Sequence, residues 1–245
     1  MHDAPTRPRV AVVGGGRLGT AFSAALSEAG WDVLGPLGRR ADPRDCEVVL
    51  LCVPDSQIAL AAAAVTPRPG LLVGHCSGAT ALGPLAPHEA FGLHPLMTVP
   101  AGGPTSFDGA TAAVAGTTTR ALVAAGALAR SLGMSPVEVD DDARPAYHAA
   151  ASVASNFLLT LEDLAERLAS SAGVPRERLV PMVRATVDNW ARHGAAPVLT
   201  GPVARGDHHT VARQRAAVER LSPADLDLFD AMVAATGRLA ERGRG

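Results

Sequence analysis

Three glycines, Gly14, Gly16 and Gly19, stand at the spacing G-x-G-x-x-G, directly after the apolar run Arg9 to Val13 and at the head of a helix-forming segment, Thr20 to Ala29. That pattern suits the pyrophosphate of a dinucleotide. The first glycine permits a tight turn, the second lets phosphate approach the backbone, and the third lets helix and strand pack closely. Free amides at a helix start bind phosphate without a basic side chain, so Gly14, Gly15, Gly16, Arg17, Leu18 and Gly19 form the expected cradle. The chain needs such a device, because all 22 of its basic residues are arginine and it contains no lysine. Schiff-base chemistry on lysine, a Walker-type phosphate lysine and a lysine general acid are all excluded. Arginine is left as the only permanent cation for phosphate or carboxylate.

The end of the second expected strand, Trp31 to Leu34, decides which dinucleotide is preferred. NAD enzymes tend to place an acid there to accept from the ribose hydroxyls. Here the place holds Gly38-Arg39-Arg40, with Asp32 too early and Asp42 beyond. Two guanidiniums match a ribose 2′-phosphate, so Arg39 and Arg40 predict NADP(H). The third strand, Glu47 to Val53, ends in Cys52-Val53-Pro54 at the edge where a ligand of a parallel sheet lies, and these three form an expected wall against the cofactor. Asp55 reads as a helix cap. Ser77-Gly78, after the next strand, offers a hydroxyl to the nicotinamide amide or to substrate, or is only a turn. Cys76 has no base near it in sequence, so a nucleophilic thiol is not expected.

Proton transfer points to another group. His148, Ser152 and Asn156 are spaced by fours, so they share one helix face. Histidine near its ordinary pKa can protonate a carbonyl oxygen or imine nitrogen as hydride arrives. His148 is the preferred acid, Tyr147 on a neighbouring face the second candidate, and His94 at a strand end the third. His94 and Arg205 could instead meet a substrate carboxylate. Adjacent His208 and His209 do not share a helix face, so no metal is expected.

The elements that must position these residues are legible in outline. The first half alternates short apolar runs with helical segments, the pattern of a mostly parallel sheet covered by helices. Further strands are expected at Leu71 to His75, Ala90 to Leu93, Ala110 to Ala115 and Pro136 to Val139, with a helix over Thr119 to Leu132. After Asp140-Asp141-Asp142 the texture becomes helical: Arg144 to Ser171, Pro175 to Arg192, Asp207 to Leu221 and Ser222 to Arg242. The reading is a dinucleotide-binding domain over 1–140 and an all-helical domain over 141–245.

Composition bounds the class. The 245 residues are 47% hydrophobic and 19% charged, which suits a folded chain. A formal net charge of -2 argues against nucleic acid as partner. Three cysteines, a polar N-terminus from Met1 to Arg9 and no apolar run of bilayer length predict a cytoplasmic protein without a membrane segment.

Several segments together resemble one family. They are Val12-Val-Gly-Gly-Gly-Arg-Leu-Gly19, Cys52-Val-Pro-Asp55, His75-Cys-Ser-Gly78, Phe91-Gly-Leu-His-Pro-Leu96, Tyr147-His-Ala-Ala-Ala151 with Ala154-Ser-Asn156, and Leu199-Thr-Gly-Pro-Val-Ala-Arg-Gly-Asp207. In this order they resemble the NADP-dependent oxidoreductases that pair a Rossmann-like domain with a helical domain of unknown function (domain of unknown function 2520). In layout that family is similar to pyrroline-5-carboxylate reductase, 6-phosphogluconate and 3-hydroxyisobutyrate dehydrogenases, and ketopantoate reductase. The resemblance implies an interdomain cleft with the nicotinamide at its floor, a homodimer built through the helical domain, and reduction of a small keto or imino acid, a ketopantoate-like one included. One departure is plain: β-hydroxyacid dehydrogenases carry Lys-x-x-x-Asn on the interdomain helix, and with Asn156 as the asparagine the lysine position holds Ser152. The missing lysine keeps a second reading open, a non-catalytic NADP(H)-binding regulator or scaffold.

Overall fold

The computed structural model describes residues 8–100 and 105–244. Most of the polar N-terminal segment, on which the reading of export rests, lies outside the described residues. The chain divides into two compact units, residues 1–155 and 156–245.

The first unit is a seven-stranded sheet in the order β2-β1-β3-β4-β5-β6-β7. The strands are β1 (Val10–Val13), β2 (Val33–Leu37), β3 (Val48–Leu51), β4 (Leu72–His75), β5 (Glu89–Leu96), β6 (Thr111–Gly116) and β7 (Ser135–Glu138). All neighbours run parallel except β5 and β6. Every residue of β1, β3 and β4 is buried, as expected of strands covered on both faces. Helices α1 (Arg17–Glu28) and α3 (Thr119–Ser131) pack Phe22, Leu26, Ala125 and Leu128 on one face. Helix α2 (Ile58–Ala63) packs Ile58, Ala61 and Ala62 on the other. Each large side chain buried in this way contributes about 1.5–3 kcal/mol. The fold is thus Rossmann-like, doubly wound and mostly parallel, and it leads into an all-helical region.

Two strands depart furthest from the expected bounds, for identifiable reasons. The second begins at Val33 rather than Trp31, because Trp31 closes α1: its N–H donates to the Leu26 carbonyl and its indole N–H to the Ser131 hydroxyl. The fifth runs to Leu96 rather than Leu93, because antiparallel β6 continues the pairing to Leu96↔Thr111. That extension carries His94 within a strand beyond the end of β4, so it is no loop histidine.

The expected long helix from Arg144 forms as α4 (Arg144–Ser152), a wider i→i+5 turn over Val153–Phe157, and α5 (Leu158–Ser171). The change of texture at Asp140–Asp142 marks the end of the sheet, whereas the division between compact units comes after Ser155. Helix α4 stays with the sheet because its first residue, Arg144, is 1% exposed against it.

The second unit continues with α6 (Arg176–His193), short α7 (Ala195–Val198) and α8 (Pro202–Arg205), α9 (His208–Leu221) and α10 (Leu226–Arg242). Asp207 caps α9, accepting from the Thr210 N–H at 3.0 Å. Ser222 makes no such cap; its hydroxyl donates to the Asp225 carboxylate, which also binds Arg167. Among the described residues no helix is long and apolar enough to cross a membrane.

Candidate active site

The glycine loop lies where the strand order reverses, between β1 and β3, the place where open parallel sheets bind ligands. Gly14 has φ +118°, and a β-carbon there would fall on the Cys52 carbonyl oxygen. At Gly19 it would fall on the Gly14 carbonyl, whereas at Gly16 it meets nothing within 4 Å. The loop is therefore closed toward the sheet and open toward solvent. The first helical bond of α1 runs from the Thr20 N–H to the Gly16 carbonyl, and the amides ahead of it point out of the helix end. Beside them lies a groove of about 510 Å³ lined in part by Gly15, Gly16, Arg17, Thr20 and Val99. Arg17 spans it, its guanidinium donating to the Val99 carbonyl at 3.2 Å.

Neither Asp32 nor Asp42 is free to take a ribose diol. Asp32 pairs with Arg9 at 3.3 Å. Asp42 accepts from the Thr66 hydroxyl and N–H and from Arg44, bonds that hold its carboxyl down at about 2. Arg39 and Arg40 are exposed in the turn after β2, with no hydrogen bond or ion pair among the described residues. The residues present fit a phosphorylated dinucleotide.

Along the carboxyl edge, Cys52, Val53 and Pro54 follow β3 as expected. Asp55 does not cap a helix. Its carboxylate accepts from the Ser77 hydroxyl at 2.8 Å instead, and the chain beyond it begins as a 3-10 turn without a side-chain cap. Ser77 is locked further, accepting from the Thr80 N–H at 2.9 Å. Fully buried His75 supports the same turn: Nδ1 accepts from the Ser77 N–H, which leaves Nε2 to donate to the Ala81 carbonyl at 3.2 Å. Burial pushes its pKa down, so the ring is neutral. Cys76 touches Cys52 sulfur to sulfur at 3.6 Å, and burial drives its thiol far from ionisation. Neither cysteine is placed as a nucleophile.

The proton-carrying residues converge above this turn. Nδ1 of His94 lies 2.8 Å from the Tyr147 hydroxyl. The His94 and His148 rings lie 6.3 Å apart, and both press on Gly78: a β-carbon at 78 would stand 2.9 Å from His94 Nε2 and from His148 Nδ1. Burial lowers the His94 pKa to about 4, helped by the His148 and Arg144 charges. Burial raises that of Tyr147. Both groups are neutral near pH 7. Ser152 belongs to α4 and is half-buried; Asn156 and Arg205 belong to the second unit, where Arg205 ends α8 before left-handed Gly206.

Sequence reasoning missed Arg144, which donates to the Ser77 carbonyl at 3.2 Å and to the Asp141 carboxylate at 2.8 Å. The signal was available: Arg144, Tyr147 and His148 are spaced i, i+3, i+4 and share one face of α4. The Asp55–Ser77 bond had no signal, because it joins the ends of two different strands.

A family described as Domain of unknown function (DUF2520) matches residues 110–236. No curated protein matches the sequence. Among solved structures, a candidate NADP oxidoreductase, BF3122 from Bacteroides fragilis, is 17% identical with a TM-score of 0.82, over 95% of this chain and 99% of that one. Protein TM1727 from Thermotoga maritima is 23% identical with a TM-score of 0.74, over 96% and 100%. A reductive aminase from Aspergillus terreus, in complex with NADPH and ethyl-5-oxohexanoate, is 17% identical with a TM-score of 0.64, over 98% and 96%. At such identities the likeness is one of fold.

Proposed function

The chain belongs to the family described as Domain of unknown function (DUF2520), and we propose that it is an NADPH-dependent oxidoreductase reducing a small keto or imino acid. The observation that carries this reading is the neutral His94–Tyr147 pair at the carboxyl edge of a sheet whose switch point bears an open glycine cradle. NADPH and NADP are the cofactors of solved relatives in fold, the Aspergillus terreus reductive aminase and the Plasmodium falciparum pyrroline carboxylate reductase. The cradle from Gly14 to Gly19 would hold the pyrophosphate, and Arg39 and Arg40 the 2′-phosphate. When bound, the cofactor supplies a hydride.

The rest falls to the protein's own side chains. A carbonyl oxygen or imine nitrogen that gains electron density needs a proton donor beside it. In the Nδ1–H tautomer, His94 donates to the Tyr147 oxygen and leaves the phenol O–H free to face substrate. The same bond steadies the phenolate once its proton has left. His148, exposed beside the pair, returns a proton from solvent. This geometry favours Tyr147 over His148 as the immediate donor. Ser77, held by Asp55, is assigned to orienting the nicotinamide amide or substrate, and Arg205 to the substrate carboxylate. Cofactor binding is assigned to residues 1–140, substrate and subunit contacts to 141–245.

A homodimer is part of the proposal. Helix α6 buries none of its 18 residues, and Leu159, Met182 and Trp190 are 66%, 63% and 58% exposed. A second copy of the same helices is a self-complementary cover for such a face. The three unpaired cysteines suit the reducing cytoplasm.

The test is NADPH consumption with ketopantoate, pyrroline-5-carboxylate and simple 2-oxo acids. Turnover of one member is expected. Tight NADPH binding with silence across the panel overturns the reductase and leaves a cofactor-binding regulator.

A further inference from the structure

Among the described residues Arg144 is the largest fully buried side chain, and no acid among them is buried with it. Its Nε donates to Asp141, whose side chain is 44% exposed, and its Nη1 to the Ser77 carbonyl. Its Nη2 is buried without a hydrogen-bond partner. The Nη2 end of the guanidinium lies against Gly92 of β5, where a β-carbon would stand 2.5 Å from it. Gly92 and His94 are alternate residues of one strand, so they face the same side of the sheet. A permanent positive charge in poorly solvated surroundings therefore sits one step along the strand from the imidazole that holds Tyr147.

We propose that Arg144 is the positioning residue of this site, anchoring α4 to the sheet edge and holding His94 uncharged as the partner of Tyr147. The proposal rests on the reductase reading for its consequence, not for its geometry. Arg144 fixes the first turn of α4, and Tyr147 and His148 on the same face follow from it. Ser77, whose carbonyl it grips, forms with Gly78 the floor on which both imidazoles rest.

The charges around His94 agree in sign. From α4 it faces Arg144 and His148, which oppose a proton on the ring, and from β4 His75, whose own ring burial keeps neutral. The one group among them that favours a proton is Asp55, at the exit of β3, and its carboxylate is occupied by the Ser77 hydroxyl. Tyr147 contributes a hydrogen bond and no charge near pH 7. Burial keeps the ring neutral first, and like charge adds to it.

The test reads the histidine ring nitrogens by NMR in the full-length protein between pH 4 and 8, alongside thermal melting and NADPH titration. In the unaltered protein the His94 ring is expected to be neutral at pH 6, and a charged ring there overturns the proposal whether or not any variant folds. Arg144→Gln is expected to raise the His94 titration measurably, and Arg144→Lys to keep most of the original value. If turnover is found, the acid limb of its pH profile moves with the ring. An unchanged His94 titration in folded Arg144→Gln overturns the proposal even where turnover is intact. A shifted titration in a protein that reduces nothing leaves the proposal standing and removes only the reductase reading.

Discussion

The hydroxyl of Tyr147 lies 2.8 Å from Nδ1 of His94, and their rings meet edge to face with centroids 5.5 Å apart. One ring rises from β5, the other descends from the first turns of α4. Tyr147 is the chain's single tyrosine, so its ionisation can be followed directly. Tyr147→Phe removes one oxygen and little else. We expect turnover to fall about a hundredfold or more, the lower end for loss of a general acid, with NADPH affinity unchanged. His148→Ala should cost less. Steady-state rates with NADPH binding measured separately check both, and the reverse order returns the donor role to His148.

Recognition of the 2′-phosphate rests on Arg39 and Arg40. Exchanging them as Arg39→Asp with Arg40→Leu should weaken NADPH by at least about tenfold, one lost charge-assisted pair at about 1.5–3 kcal/mol, and leave NADH little changed. Calorimetric titration of both nucleotides decides it, and equal losses remove the 2′-phosphate assignment.

Gly78→Ala tests the floor of the site. Its methyl group would meet both imidazoles at under 3 Å, so the rings must move. We expect a folded protein, normal NADPH binding and turnover reduced at least about tenfold through lost alignment. Full activity would show that the two histidines are not held in place by this contact.

Stability should depend on pH through His94. Its folded-state pKa of about 4 lies below the ordinary 6.5, so the unfolded chain takes up the proton first. Stability is complete above about pH 6.5 and declines as pH falls toward 4, by on the order of 3 kcal/mol from this residue. Buried His75 acts in the same direction. Urea unfolding at pH 7 and pH 4.5 checks the sign, and His94→Gln should lose less over that interval than the unaltered protein. Equal losses would mean that His94 is charged when folded.

Light scattering is expected to give a dimer at micromolar concentration, and Trp190→Glu with Met182→Glu to give a folded monomer. A monomeric unaltered protein removes the dimer.

The glycine loop, the strands around it and the capping of α9 by Asp207 were legible because each is local: one turn, one apolar run, one side chain reaching three residues ahead. The bounds of β2 and β5 were not, since Trp31 is claimed by α1 and Ser131, and β5 is lengthened by a partner strand that runs antiparallel. The same holds in the site. His94, Tyr147 and His148 were identifiable as residue types, yet their meeting depends on how far β5 extends and on where α4 begins. Asp55 read as a cap because cap residues and hydroxyl acceptors look alike until Ser77 is brought beside one.

Gly92 and Arg144 make up a single constraint written at two places in the chain. While the arginine is present, a β-carbon at position 92 would stand 2.5 Å from its Nη2, so the guanidinium would have to shift; once the arginine is gone, that contact is gone with it. Substitution in one order passes through a collision and in the other through an empty pocket beneath His94. A descendant sequence can therefore drift at position 92 most freely once it has given up its buried cation, and the residue found there would report on whether the cation is still in use.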